Sequence, residues 1–115
     1  MGKYSNEIWP LEKSGSQDLS SAKLDISTSF GKKWRLLAVY IHFDAACSED
    51  VTLKRDSGLG TNYDTIIKEE TLSAATDFVF RPTGKEIYDK GDELNVQVST
   101  GGSAIAYLEI KGEEI

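Results

Sequence analysis

A single cysteine, Cys47, is all the thiol chemistry this chain of 115 residues offers. One thiol cannot close an internal disulfide or supply a thiolate metal cluster, so the fold must be held by packing or by association of copies. Positive charge is also thin. Thirteen Lys and Arg face nineteen Asp and Glu, for a net charge of −6. The densest basic group, Lys32, Lys33 and Arg35, borders an apolar run, where solvated strand ends carry charge. Nucleic-acid binding needs clustered cations that displace counterions from phosphates, so nucleic acid is excluded as a partner. No apolar run approaches the length of a membrane span, and Met1 to Pro10 lacks the apolar core of a signal peptide. These absences predict a soluble protein of a reducing compartment with no membrane partner.

Helical periodicity is scarce as well. Its one isolated candidate, Glu69 to Thr76, is too short to stand unsupported, and a loop or a single turn is expected there. The stretch Lys33 to Phe43 (KWRLLAVYIHF) is the strongest positive signal. Leu36, Val39, Tyr40 and Phe43 fit a helical template, but Trp34, Val39, Tyr40, Ile41 and Phe43 are aromatic or β-branched and suit a pleated surface. Apolar residues at both parities predict a central strand covered on both faces. Counted by strict alternation, Trp34 and Tyr40 share one face, which is expected to be core, and His42 closes the strand as a partly buried, hydrogen-bonded side chain.

Shorter strands surround it. Leu24, Ile26 and Thr28 alternate with polar residues and Gly31 closes them. Val51 to Arg55 and Tyr63 to Lys68 flank the turn chemistry of Asp56 to Thr61 and predict a hairpin. Phe78 to Arg81 is stopped by Pro82, Glu86 to Tyr88 reads as a brief edge strand, and Leu94, Val96 and Val98 alternate cleanly with Asn95, Gln97 and Ser99. Gly101-Gly102 reverses the chain into a C-terminal hairpin through Lys111, with Ala106, Leu108 and Ile110 on its buried face. Seven or eight strands joined by Gly, Asp, Asn and Pro turns describe an all-β, single-domain antiparallel β-sandwich of jelly-roll type, with a closed barrel as second choice. Residues 1–21 read differently. Ile8-Trp9-Pro10-Leu11 is an isolated apolar knot followed by the linker-like Lys13 to Gln17, so an extended N-terminal arm over 1–21 precedes the sandwich at 22–115. Its Trp9 would fold back on the sandwich or dock on a neighbour.

No catalytic, cofactor or metal motif stands out. His42 has Asp44 and Ser48 nearby in sequence, but a triad requires convergence on one reacting atom and no nucleophile elbow is present. Ser48-Glu49-Asp50 and Asp89 to Glu93 are acidic, yet calcium takes six or more oxygen ligands and neither group has EF-hand spacing; both read as turns. Cys47 reads as a small, partly buried residue. Gly58-Leu59-Gly60 lacks the phosphate-loop pattern and reads as a hairpin tip, where Leu59 is a contact point for a partner. No cofactor and no metal are expected, and the chain reads as a non-enzyme.

The order of segments carries a resemblance. A long apolar strand ending near Asp44-Ala45-Ala46, then VTLKRDSGLGTNYDTII, TDFVFRP, KGDELNVQVST and a terminal Ala-Tyr hairpin resembles the small virion proteins of tailed phages and prophages, over about residues 22–111. Such proteins are encoded among head genes and include capsid decoration, or cement, proteins. The resemblance implies a structural protein made in the host cytoplasm and located on the virion, an oligomer clamping major capsid protein or other virion subunits. It transfers no functional residue. On this reading Ile8, Trp9, Leu11 and Leu59 are the candidate partner interface, since an aromatic anchor can dominate a small contact. Sheet edges and an exchangeable arm favour a trimer or dimer. The rival reading is a carbohydrate-binding module using rings such as Trp34 and Tyr40; an enzyme would need a site that the sequence does not display.

Overall fold

The computed structural model describes residues 10–115, which form nine strands. In chain order they are β1 (Pro10–Asp18), β2 (Leu24–Thr28), β3 (Trp34–Cys47), β4 (Asp50–Asp56), β5 (Thr65–Thr71), β6 (Ala75–Phe80), β7 (Ile87–Tyr88), β8 (Glu93–Val98) and β9 (Ile105–Glu114). A 3₁₀ turn, Thr61–Tyr63, sits between β4 and β5. Two antiparallel sheets pack together. One runs β1-β9-β3-β6 with β7 also paired to β3, and the other runs β2-β8-β4-β5. Along β1 to β4 the chain changes sheet at every strand, and again from β5 to β6, from β7 to β8 and from β8 to β9, which is jelly-roll connectivity.

The sheet begins earlier than the sequence suggests. Residues 10–18, assigned to the arm over 1–21, form a nine-residue strand paired along its whole length with β9, from Pro10 opposite Glu113 to Asp18 opposite Ile105. The composition hides this because β1 is an edge strand. Its inward register positions are Leu11, Lys13, Gly15 and Gln17, opposite the buried or closely packed Gly112, Ile110, Leu108 and Ala106. The absence of a side chain at Gly15 leaves room for the end of the Ile26 side chain across the sandwich.

β3 turns one face to the core, its outer face being exposed or half-exposed apart from the small Ala38, and a bulge explains the misleading pattern. Leu36 pairs with Gly112 and Ala38 with Lys111, so Leu37 is an extra residue without a partner on β9. Trp34 and Leu36 before the bulge and Val39, Ile41 and Phe43 after it therefore all face the core, with relative exposures of 1% or less. Leu37 is 41% exposed. The same shift sends Tyr40 and His42 to the outer face. The C-terminal hairpin is also replaced: β8 and β9 belong to different sheets, and Gly101-Gly102 carries the chain across the end of the sandwich, where Gly101 N–H donates to Leu19 O at 2.8 Å. Ala106, Leu108 and Ile110 are buried. Glu69 to Thr76 is the end of β5, a tight turn and the start of β6, with Ala74 at φ 50° and its N–H donating to Ser48 Oγ.

The core closes at one end through stacked aromatics. Trp34 and Tyr88 lie parallel with centroids 4.6 Å apart, Phe30 meets Trp34 edge-on at 4.7 Å, and Arg55 Cζ lies 4.3 Å from the Tyr88 centroid on the ring. Arg55 is held by Glu86 at 3.1 Å and by Asp92 at 3.8 Å. Burial, followed by the Glu86 carboxylate, pushes the Tyr88 phenol well above its ordinary pKa. Each fully buried Leu, Ile, Val or Phe contributes about 1.5–3 kcal/mol.

Open edges are guarded. Lys13 occupies an inward register position on β1, and on β5 the inward positions opposite Leu53 and Val51 are Lys68 and Glu70, paired with each other at 3.7 Å. An added strand would have to bury these charges, the standard protection against edge-to-edge pairing. No helix among the described residues is long and apolar enough to cross a membrane.

Candidate functional site

Two surfaces gather the side chains that are neither core nor ordinary solvated polar groups. The first is the end of the sandwich where β1 begins. Pro10 pairs with Glu113, Trp34 pairs with Glu114 and with Tyr88, and Arg55 caps Tyr88 beside the end of β4, so the start of β1 and the β4–β5 loop emerge at the same end. The loop is pinned there. Gly58 N–H donates to Asp92 Oδ1 at 2.9 Å, Ser57 N–H to Asp64 Oδ1 at 2.8 Å, and a Cβ on Gly58 would lie 2.8 Å from Gly91 O. This backbone contact lets the loop present Leu59 at 77% exposure, with Tyr63 and Ile66 also exposed.

Of the four interface residues expected from sequence, Ile8 and Trp9 lie outside the described residues. Leu59 is an exposed tip, as its setting between two glycines implies. Leu11 is not part of a free arm: it is half-buried on the inner face of β1, packed against the core and opposite Gly112. The absence of a side chain on Gly112 makes room for Trp34, whose ring would lie 2.7 Å from an added Cβ.

The second surface is the outer face of the β1-β9-β3-β6 sheet. Register places Ser16, Tyr107, His42 and Asp77 in one cross-strand row, and Ser14, Glu109, Tyr40 and Val79 in the next. Small serines on β1 beside larger residues on β9 and β3 leave a shallow, open basin of about 490 Å³ bordered by Tyr40, His42, Tyr107 and Glu109. His42 is exposed rather than partly buried, and its partner is Asp77 across the strand, Nδ1 to Oδ1 at 3.0 Å. Hydrogen bonds from His42 and from Thr76 hold the Asp77 carboxyl below the usual carboxylate range. Asp44 is turned elsewhere, accepting from Ile105 N–H at 2.7 Å. Arg81 Nη2 donates to the Tyr40 hydroxyl at 3.1 Å, with its guanidinium 5.4 Å from the ring centroid. Lys111 bridges Glu12 at 2.9 Å and Glu109 at 3.5 Å, and these carboxylates, Glu12 foremost, raise its pKa.

The acidic groups weighed for calcium serve turns. Ser99 Oγ donates to Glu49 Oε1 and accepts from Asp50 N–H, while the two oxygens of Asp92 accept from Gly58 and Asp89 N–H. Cys47 is buried, and burial raises its thiol pKa away from reactivity.

Sequence reasoning missed the basin because its parity count ran through the bulge. Counting from Trp34 puts Tyr40 in the core; counting back from Phe43 would have put Tyr40 and His42 outside. No family model matches the chain, and no curated protein matches it.

Proposed function

We propose that this protein is a non-enzymatic structural component of a tailed-phage virion that binds the outside of the capsid and stabilises it. The observation that carries the reading is the composition of one end of the sandwich: the chain enters β1 where the exposed Leu59, Tyr63 and Ile66 also lie. Apolar residues held out on a pinned loop form a contact patch instead of a folding accident, because the backbone packing of Gly58 on Gly91 fixes them there. The segment arrangement that resembles head-associated proteins supports the same reading. Guarded edges fit it too, since a protein repeated many times on one shell must not polymerise through its sheets. Many copies, each burying a modest area, add stability to a shell through multivalency.

The test is binding to expanded, undecorated capsids of the phage that encodes the protein. Cosedimentation at micromolar concentration, and a higher capsid disruption temperature, are expected. Leu59→Asp with Tyr63→Asp weakens both while leaving the fold intact, because both side chains are exposed. Absence of binding at that concentration overturns the reading.

A further inference from the structure

We propose that the outer face of the β1-β9-β3-β6 sheet is a binding site for a neutral saccharide, seated between Tyr40 and Tyr107 over the serines of β1. This assignment does not depend on the capsid reading. It rests on what the basin offers and on what its own charges have already satisfied.

The volume, about 490 Å³, is within the usual range for small-molecule sites, roughly 300–1,000 Å³, and the site is open along the sheet, so a sugar unit within a longer chain can lie in it. Tyr107 is 47% exposed, an aromatic surface of the kind on which the C–H face of a pyranose stacks. The polar groups around it are mainly acceptors. A carboxylate can only accept, so in the neutral ring of His42 the proton sits on Nδ1 facing Asp77, and Nε2 keeps its lone pair. Glu109 adds carboxylate oxygens, while Ser14 and Ser16 supply hydroxyls that donate or accept. Acceptors beside an aromatic surface suit a ligand that presents hydroxyl donors and an apolar face together.

Charge argues against the other ligand classes. Among the described residues beside the basin, an anion would find no cation left without a partner, since Lys111 is bridged to Glu12 and Glu109 and Arg81 is engaged with Tyr40, on a chain of net charge −6. A cation would seek the tyrosine ring and the carboxylate, but Arg81 already lies by the Tyr40 ring and Lys111 already neutralises Glu109. What remains unspent is hydrogen-bonding capacity and the Tyr107 ring.

The experiment is an amide NMR titration with the methyl glycosides of glucose, galactose and N-acetylglucosamine, with tetramethylammonium and glucuronate as charged controls, run beside a glycan array. At least one neutral sugar should give saturable shifts at residues 14–16, 40–42 and 107–109. Tyr107→Ala, which removes the stacking surface, and Ser16→Arg, which fills the floor, should each weaken binding by about tenfold or more with the spectrum still folded. No shift from any neutral sugar at about 10 mM together with no neutral hit on the array overturns the proposal. So does preference for either charged control, or unchanged affinity in both variants.

Discussion

Leu36 and Leu37 are chemically identical neighbours on one strand, yet the bulge in β3 gives them opposite environments. Leu36 is 0% exposed and Leu37 is 41% exposed and unpaired on β9. Leu36→Ala removes buried methyl and methylene groups and leaves a cavity, a loss of about 2–5 kcal/mol. Leu37→Ala trims a side chain already half in water and costs under about 1 kcal/mol. For a domain of this size each kcal/mol moves Tm by about 4 °C, so the variants should melt roughly 8–20 °C and under about 4 °C below the parent. Deleting Leu37 is the sharper perturbation. Residues 34, 35, 36, 38, 39 and 40 would then run without interruption against 114 to 109, and every inward side chain would stay inward. The deletion costs the local twist and part of one side chain, about 1–2 kcal/mol. Without a bulge at Leu37, the deletion would instead turn Trp34 and Leu36 out of the core, about 3–6 kcal/mol at the usual burial value and much of a domain's whole stability. Calorimetry with urea titration decides. Equal losses for the two alanine variants, or a deletion variant that does not fold, would refute the assignment.

Other predictions follow from close packing and charge. Gly112→Ala forces a methyl against the Trp34 ring and should cost about 1–3 kcal/mol by urea titration, with Trp fluorescence altered in the folded state. Because burial and Glu86 raise the Tyr88 pKa, its stabilising effect is complete below the unfolded value of about 10 and is lost as pH rises towards the folded value; Tyr88→Phe should flatten the alkaline fall of Tm. Replacing the inward edge charges, Lys13→Val with Lys68→Val, should leave secondary structure intact but produce soluble aggregates by light scattering, and unchanged scattering would show that these charges do not guard the edges.

The sandwich itself was legible because most strands obey local rules. Leu94, Val96 and Val98 alternate, Gly58 and Gly60 mark a loop, and Pro82 follows the end of β6. What escaped depends on partners far along the chain. β1 reads as a linker because only Leu11 among its inward positions is apolar, and its pairing with β9 spans nearly the whole sequence. The bulge at Leu37 produces an apolar pattern at both parities, which simple periodicity translates into two-sided burial. The crossing from β8 to β9 looks like a hairpin because two glycines look the same whether they reverse a ribbon or bridge two sheets. Leu59 was legible as an exposed tip; the basin was not, since Ser14, Tyr40 and Tyr107 become neighbours only through register.

β9 lies between β1 and β3, and that position governs when the molecule can exist. The last strand in the chain order is the middle of its sheet, so β1 has no partner and β3 lacks one side until residues 105–114 arrive. Folding therefore cannot proceed by adding finished pieces from the N-terminus as synthesis advances. It must wait for the final strand and then close the longest loops together, the mark of a slow folder whose intermediates expose unpaired strands. A truncation within β9 would remove the keystone of the sheet rather than a tail.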